Sequence, residues 1–293
     1  MILCTGELIA DITTETLPDI GEIMRRRAGG APFNVACDIV ALGGSAGFYG
    51  CVGSDLMGDM LASYAKGATG LDPLVLRRDP HRPTAMAFVE IGPDGDRAFE
   101  FRDASRAADC AADAAELETL LPRARLLHLG SLMLRDADGR RFAASAVSAA
   151  HARGIAVSFD VNLRPGLYKS VSAALRAAKP VIDAADILKF SSEEALLFTH
   201  APDERSAALA LSRAGRTVFV TLGARGALCA CGDECISVPA MRADVVDATG
   251  AGDAFFAGAL LSLVTSPGDL HAALAAGVRA GAGAVSRKAS NLL

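Results

Sequence analysis

The chain has 293 residues, 51% of them hydrophobic, enough to bury the core of one large α/β domain and too many for a disordered chain. Its formal charge of −5 excludes the basic footprint that nucleic-acid binding requires. The N-terminus has neither the basic nor the long apolar region of a secretory leader, and the apolar run 254–264 is too short to span a bilayer, so no membrane partner is expected.

In chain order, Ile2–Thr5 reads as a first strand, with further strands at 47–52, 126–129, 155–159, 187–190 and 218–222. Helices are expected near 33–42, 55–68, 136–153, 171–184, 192–199, 204–214, 251–264 and 269–286. This alternation predicts a doubly wound, mostly parallel sheet flanked by helices, with 1–293 as a single domain. Residues 8–30 and 83–103 break the rhythm. The second stretch carries two alternating runs around the turn Gly92-Pro93-Asp94-Gly95, a hairpin by its chemistry. Such strands would form a small β-strand lid, and their edges would allow a homodimer by pairing across a two-fold axis. Seven cysteines at 4, 37, 51, 110, 229, 231 and 235 read as reduced thiols of a cytoplasmic protein. The cluster at 229–235 flanks the hairpin turn Gly232-Asp233-Glu234 and has no fourth ligand nearby, so it reads as buried strand cysteine rather than a metal site.

The chemistry concentrates at Asp247-Ala248-Thr249-Gly250-Ala251-Gly252-Asp253, which runs directly into a helix. Backbone N–H groups at a helix start suit a phosphate, and Gly250 and Gly252 let the chain approach it closely. Asp253 in the first turn would take the proton of a hydroxyl beside that phosphate, although an Asp there also complements the helix dipole. Near the N-terminus, Gly29-Gly30-Ala31-Pro32-Phe33-Asn34 opens another helix, where Asn34 can donate to and accept from a polyhydroxylated ligand.

Taken together, these two motifs resemble the signatures of ribokinase-like (PfkB-type) carbohydrate kinases, and the resemblance covers essentially the whole chain, closest to fructokinases. Gly6-Glu7-Leu8-Ile9-Ala10-Asp11 is similar to that family's first strand with its sugar-binding Asp. Phe159-Asp160-Val161-Asn162-Leu163-Arg164-Pro165 is similar to a segment of fructokinases and 2-keto-3-deoxygluconate kinases, and Arg102 to a substrate-facing arginine of the same enzymes. Lys189-Phe190-Ser191-Ser192-Glu193-Glu194 resembles the family's Asn-x-x-Glu element, with Ser191 in the Asn position. Thr221-Leu222-Gly223-Ala224-Arg225-Gly226 resembles its nucleotide-lining turn.

The resemblance implies transfer of the γ-phosphate of ATP to a sugar hydroxyl. Asp253 would be the base, and the amides of Gly250, Ala251 and Gly252 would stabilise the transferred group. Asp11, Gly30, Asn34, Arg102, Asp160 and Arg164 would hold the sugar. Lys189, Glu194, Thr221, Gly223, Gly226, Gly250 and Gly252 would serve ATP, with Glu194 organising Mg²⁺ through water and Asp247 and Thr249 near a monovalent cation such as K⁺. Gly277, Gly281 and Gly283 would let adenine lie against the last helix. Fructose is the leading substrate, with a 2-keto-3-deoxy sugar acid as the alternative. Phe33, bulky where relatives often have Ala, is expected to reshape the sugar pocket. A non-catalytic sugar or nucleotide sensor of the same fold is the reading from another class. The absence of a Walker P-loop, of the protein-kinase motifs and of a dinucleotide fingerprint excludes the other common phosphate-handling folds.

Overall fold

The computed structural model describes residues 1–17, 21–91, 97–102, 107–212 and 216–286. The first part of the chain runs β1 (Ile2–Thr5), β2 (Ile9–Leu17), β3 (Gly21–Gly29), α1 (Ala31–Ala41), β4 (Ala46–Gly53), α2 (Leu56–Ala68) and β5 (Leu74–Asp79). The middle continues through β6 (Met86–Ile91), β7 (Arg97–Arg102), α3 (Ala114–Glu118), β8 (Leu126–Leu129), α4 (Ala137–His151), β9 (Ala156–Asp160) and α5 (Val171–Ala184). It closes with β10 (Ile187–Ser191), α6 (Ser192–Thr199), α7 (Glu204–Leu211), β11 (Thr217–Thr221), β12 (Ala227–Cys231), β13 (Glu234–Val238), α8 (Ala251–Thr265) and α9 (Leu270–Val285).

The main sheet has the order β13-β12-β11-β10-β9-β8-β1-β4-β5. It is parallel from β11 to β5 and antiparallel where β12 and β13 are added. Its strands are buried on both faces, because successive side chains alternate between two helical layers. Leu3, Leu127, Leu129, Val218 and Val220 pack toward α4, α5 and α7, whereas Ile2, Cys4, Leu126 and Phe219 pack toward α1, α2, α8 and α9. The doubly wound fold expected from the alternation is therefore observed. β1 lies inside the sheet, with β4 and β5 extending to one side and β8 to β11 to the other. This reversal of strand order makes a crevice beyond the carboxyl ends of β1 and β8, the place where such sheets bind ligands.

A second sheet, ordered β3-β2-β6-β7, is built from the two stretches that interrupt the alternation. Its register places Asp11 opposite Arg27 and Met86 opposite Arg102. The turn at 92–95 lies outside the described residues.

Several elements differ from the sequence reading, the short helix α3 among them, which was not expected. α1 starts at Ala31 instead of residue 33, because Pro32 occupies the first turn, where its missing N–H costs nothing. β5 was not expected; it is an edge strand, and its side chains are only half-buried. α7 ends at Leu211, and residues 213 and 214 of the longer helix expected there lie outside the described residues.

His128 in β8 is fully buried, its Nδ1 3.1 Å from the Ser158 hydroxyl and its ring 5.3 Å edge-on from Phe256. Burial, reinforced by the nearby Lys189 charge, lowers its pKa to about 3. The folded chain thus keeps this ring neutral between that value and the ordinary value of 6.5, while the unfolded chain protonates it. The unfolded state then binds the extra proton, so stability is lost as pH falls below about 6.5. His128→Gln should flatten the fall in unfolding free energy between pH 6 and pH 4 by about 1.4 kcal/mol per pH unit relative to the parent, measured by urea titration.

Candidate active site

The turn before α8 forms the base of the cleft. Gly250 caps the helix at φ 75°, a conformation that favours glycine. Among the described residues the backbone N–H groups of Gly250, Gly252 and Asp253 have no backbone acceptor, whereas that of Ala251 donates to the Ala248 carbonyl at 3.3 Å. Three amides, together with the positive end of a 15-residue helix, are available to an anion. Ala251, expected to supply one of them, has its amide tied into the turn instead.

Beneath this turn lies Lys189. A Cβ on Gly252 would sit 3.2 Å from its Nζ, so the missing side chain brings the ammonium directly under the amides. Lys189 is 7% exposed and donates to both carboxylate oxygens of the fully buried Asp160, at 2.9 and 2.8 Å. The two face each other in register on β10 and β9. Burial alone would lower the lysine pKa, but Asp160, Asp253 and Glu194 hold it above the ordinary value, so the ammonium stays charged.

Asp253 opens onto the cleft beside the free amides. Its Oδ2 accepts a hydrogen bond from the side-chain amide of Asn34 at 2.8 Å, which joins the first turn of α1 to the first turn of α8. Burial pushes its carboxyl above the usual carboxylate range; Lys189, the Asn34 amide and Arg164 pull it back, and Asp38 adds to the rise. A carboxylate so held is oriented and poised to take a proton.

Two cavities meet at the turn. One, of about 740 Å³, is lined by Glu7, Asp11, Gly30, Asn34, Arg164 and Asp253 among others, and it also takes in Lys189, Asp247 and Thr249. The other, of about 810 Å³, is lined by Thr221, Gly223, Ala224, Gly226, Phe255 and Gly281 among others. Val245, Ala248 and Gly252 border both. A polar chamber and a more apolar one thus share a single anion-binding turn.

Most residues singled out in the sequence converge here, and several do so differently from the expectation. Asp160 does not line either cavity: both its oxygens are held by Lys189, so its place is in the floor and not among the sugar ligands. Lys189, expected to serve ATP, borders the polar chamber and not the second cavity. Glu194 forms a capping box with Ser191 and accepts from the Leu163 amide at 2.6 Å and the Ser191 amide at 2.8 Å. It therefore pins the loop carrying Arg164 to the start of α6. Phe33 is fully buried, 5.2 Å edge-on from Phe48, and does not shape the pocket. Gly281 lines the more apolar cavity, but Gly277 packs against Phe255 and Gly283 borders a separate groove. The backbone of Arg102 pairs with Met86; its side chain lies outside the described residues.

The sequence reading missed four contributors. Glu7 lines the polar chamber at 3% exposure. Ser131 donates to the Asn162 carbonyl at 3.1 Å, and Asn162 adopts φ 30°; both border the chamber. Arg27, on the small sheet, reaches Asp247 at 3.7 Å. A charged residue breaking the apolar run after β1 was the one available signal, and it pointed to Glu7.

An anion turn with an oriented carboxylate, set between a polar chamber and a second cavity, defines a phosphotransferase acting on an alcohol. Residues 1–292 match the pattern of the pfkB family carbohydrate kinases. The chain belongs to that family and is an ATP-dependent carbohydrate kinase. It is 34% identical to fructokinase-2 of Zea mays over 279 residues, covering 92% of this chain and 82% of the relative. The fructokinase of Xylella fastidiosa with bound ATP superposes with a TM-score of 0.85 at 31% identity, covering 98% of this chain and 92% of that one. A fructokinase double mutant from Vibrio cholerae O395, bound to fructose, ADP and a potassium ion, gives 0.82 at 26% identity, covering 98% and 92%.

Removing one partner of the buried pair leaves the other charge uncompensated. Lys189→Met should destabilise the fold by about 3–5 kcal/mol, and Lys189→Met with Asp160→Leu should recover much of that loss, both measured by urea denaturation.

Proposed function

We propose that this kinase phosphorylates fructose, with Asp253 as the base. The hydrogen bond from Asn34 to Asp253, made where the two cavities meet, carries the reading. The polar chamber would hold the sugar through Asp11, Asn34 and Arg164, with the backbone at Gly30 close against it. The chamber lined by Thr221, Gly223, Gly226 and Gly281 would hold the nucleotide. As the sugar hydroxyl attacks the terminal phosphorus of ATP, its proton passes to the Asp253 carboxylate and the bond to the ADP oxygen breaks. The free amides of Gly250, Gly252 and Asp253, with the Lys189 ammonium below, face the charge gathering on the transferred group. The fructose, ADP and potassium named for the Vibrio cholerae structure support this choice of substrates.

Mg²⁺, entering with the nucleotide, would spread the phosphate charge. Both Glu194 oxygens already accept backbone N–H bonds, and their remaining lone pairs suit contact through the hydration shell of the ion. For K⁺ near Asp247 and Thr249, the Asp247 side chain already faces Arg27 and the Thr249 amide, so backbone carbonyls of that segment would be the donors. The small sheet would act as a lid on a single domain, and its edge strands β3 and β7 would serve a homodimer. No helix among the described residues is long and apolar enough to cross a membrane. Seven free cysteines fit a cytoplasmic enzyme.

Arg164 on the polar chamber favours a sugar acid as the second candidate. ADP release from Mg-ATP should therefore be measured with fructose, 2-keto-3-deoxygluconate, ribose, tagatose and adenosine. Fructose is expected to give the highest kcat/KM; a higher value for the sugar acid would replace it. Asp253→Asn should keep the fold and ATP affinity while kcat drops by about 10²–10⁴-fold. A variant turning over at the parent rate removes Asp253 from the role of base. Because the Asp253 carboxyl titrates above the usual range and must be ionised to act, kcat should fall with decreasing pH through a limb displaced upward from that range.

A further inference from the structure

Helix α1 carries the sugar-facing turn but has no anionic cap of its own. Its N-cap is Gly30, which makes no side-chain bond, and no acidic residue stands in its first turn. The missing acceptor comes from elsewhere in the chain. Glu7, immediately beyond β1, points an oxygen at the exposed start of α1, and the Ala31 N–H donates to its Oε1 at 3.1 Å.

The surroundings of Glu7 are shaped around it. A Cβ on Gly30 would collide with its carbonyl oxygen, and one on Gly130 would lie 2.8 Å from Oε2. Gly30 sits at φ 115°, a conformation L side chains rarely adopt. Oε2 is sealed from solvent and has no hydrogen-bond partner, an arrangement that carries a cost and calls for a reason. Burial pushes the Glu7 carboxyl up to about 8, with Asp109 adding to the rise and the Ala31 amide and Arg135 opposing it. Because Oε2 is closed in, the side chain does not offer that oxygen to a ligand in the chamber. What it does reach is the turn that carries Asn34.

We propose that Glu7 is a positioning residue for phosphoryl transfer, an acceptor supplied from β1 that fixes the start of α1 and so aims Asn34 at Asp253. The path is short and continuous. Glu7 Oε1 holds the Ala31 amide, the Asn34 amide donates to the Gly30 carbonyl at 2.8 Å, and the Asn34 side chain donates to Asp253 Oδ2 at 2.8 Å. Loosening the first link lets the turn shift, and with it both the Gly30 backbone against the sugar and the orientation of the base. The nucleotide chamber is lined by none of these residues, so ATP binding is insulated from the change.

The inference rests on the kinase reading above. It is tested by Glu7→Gln, Glu7→Asp and Glu7→Ala, with steady-state kinetics for sugar, calorimetric ATP binding, and hydrogen exchange of the peptide spanning 29–36 in the free protein. Gln keeps an acceptor at the right reach and, like a carboxyl raised to about 8, is uncharged at neutral pH; Asp keeps the carboxyl and falls short of the Ala31 amide. Glu7→Gln should stay within about threefold of the parent, while Glu7→Asp and Glu7→Ala should lose about 100-fold in kcat/KM for the sugar with ATP affinity nearly unchanged. Protection of the 29–36 peptide should fall in Asp and Ala and be retained in Gln. Should Ala fail to fold, the Gln and Asp variants still decide the question. An active Asp variant beside an inactive Gln variant overturns the proposal, as does equal weakening of sugar and ATP. A parent protein that releases no ADP with any sugar would instead defeat the kinase reading, a result separable from any difference among the variants.

Discussion

The cleft depends on one ammonium group held away from water. A buried lysine is tolerable only when it is paired and hydrogen-bonded, and Lys189 meets that requirement through both oxygens of Asp160. Because β9 and β10 are parallel neighbours with these residues in register, the pair is fixed between the carboxyl end of β9 and the middle of β10. That is the end at which the crevice opens. The charge then serves two groups above it: it counters the burial of the Asp253 carboxylate and stands beneath the amides of the anion turn. Gly252 is required where a side chain would separate the ammonium from the turn. The positive field is present before any ligand arrives, which is the form of electrostatic stabilisation that needs no rearrangement during reaction.

Asp253 is placed by packing. α8 buries every residue from Ala254 to Leu260, so it is held on nearly all sides. Gly258 and Gly277 allow this: a Cβ on Gly258 would lie 2.7 Å from the Ala276 carbonyl, and one on Gly277 would lie 2.9 Å from Phe255. With the helix axis fixed by close approach to α9, the position of its first turn follows. α1 packs against the same layer, which brings Asn34 and Asp253 together across 219 residues of chain. A hydrogen bond between two rigid helix starts orients a carboxylate better than a contact between loops would.

What the sequence revealed and what it concealed follow from range. The anion turn was legible because its glycines, its helix start and its carboxylate lie within seven consecutive residues. Asp11, Asn34 and Arg164 were legible as parts of short motifs at strand ends. Phe33 was misread because its bulk, where relatives often have Ala, was taken to face the sugar. On a helix beginning at Ala31, residues 31 and 34 share a face, and Phe33 is turned by about 100° from Asn34 toward the core. Asp160 was misread for another reason: only sheet register shows that its carboxylate is spent on Lys189. Glu194 kept its motif spacing, but its partners, the Leu163 and Ser191 amides, are visible only once the loop after β9 is folded onto α6.

The division of labour within the cleft has a consequence for selectivity. The anion turn is built from backbone amides and one buried ammonium, and such groups recognise phosphate whatever alcohol receives it. On the proposed assignment, discrimination among sugars would reside in side chains of the polar chamber, and these come from separate elements: Asp11 from the small sheet, Asn34 from α1, Arg164 from the loop after β9. Of these, Asp11 is the one carried by the small sheet. Arg27 stands opposite Asp11 in that sheet and reaches Asp247 at the entrance to the anion turn. The separation is 3.7 Å and the two side chains are 18% and 9% exposed. The ion pair links the sheet that carries Asp11 to the segment that leads into the anion turn.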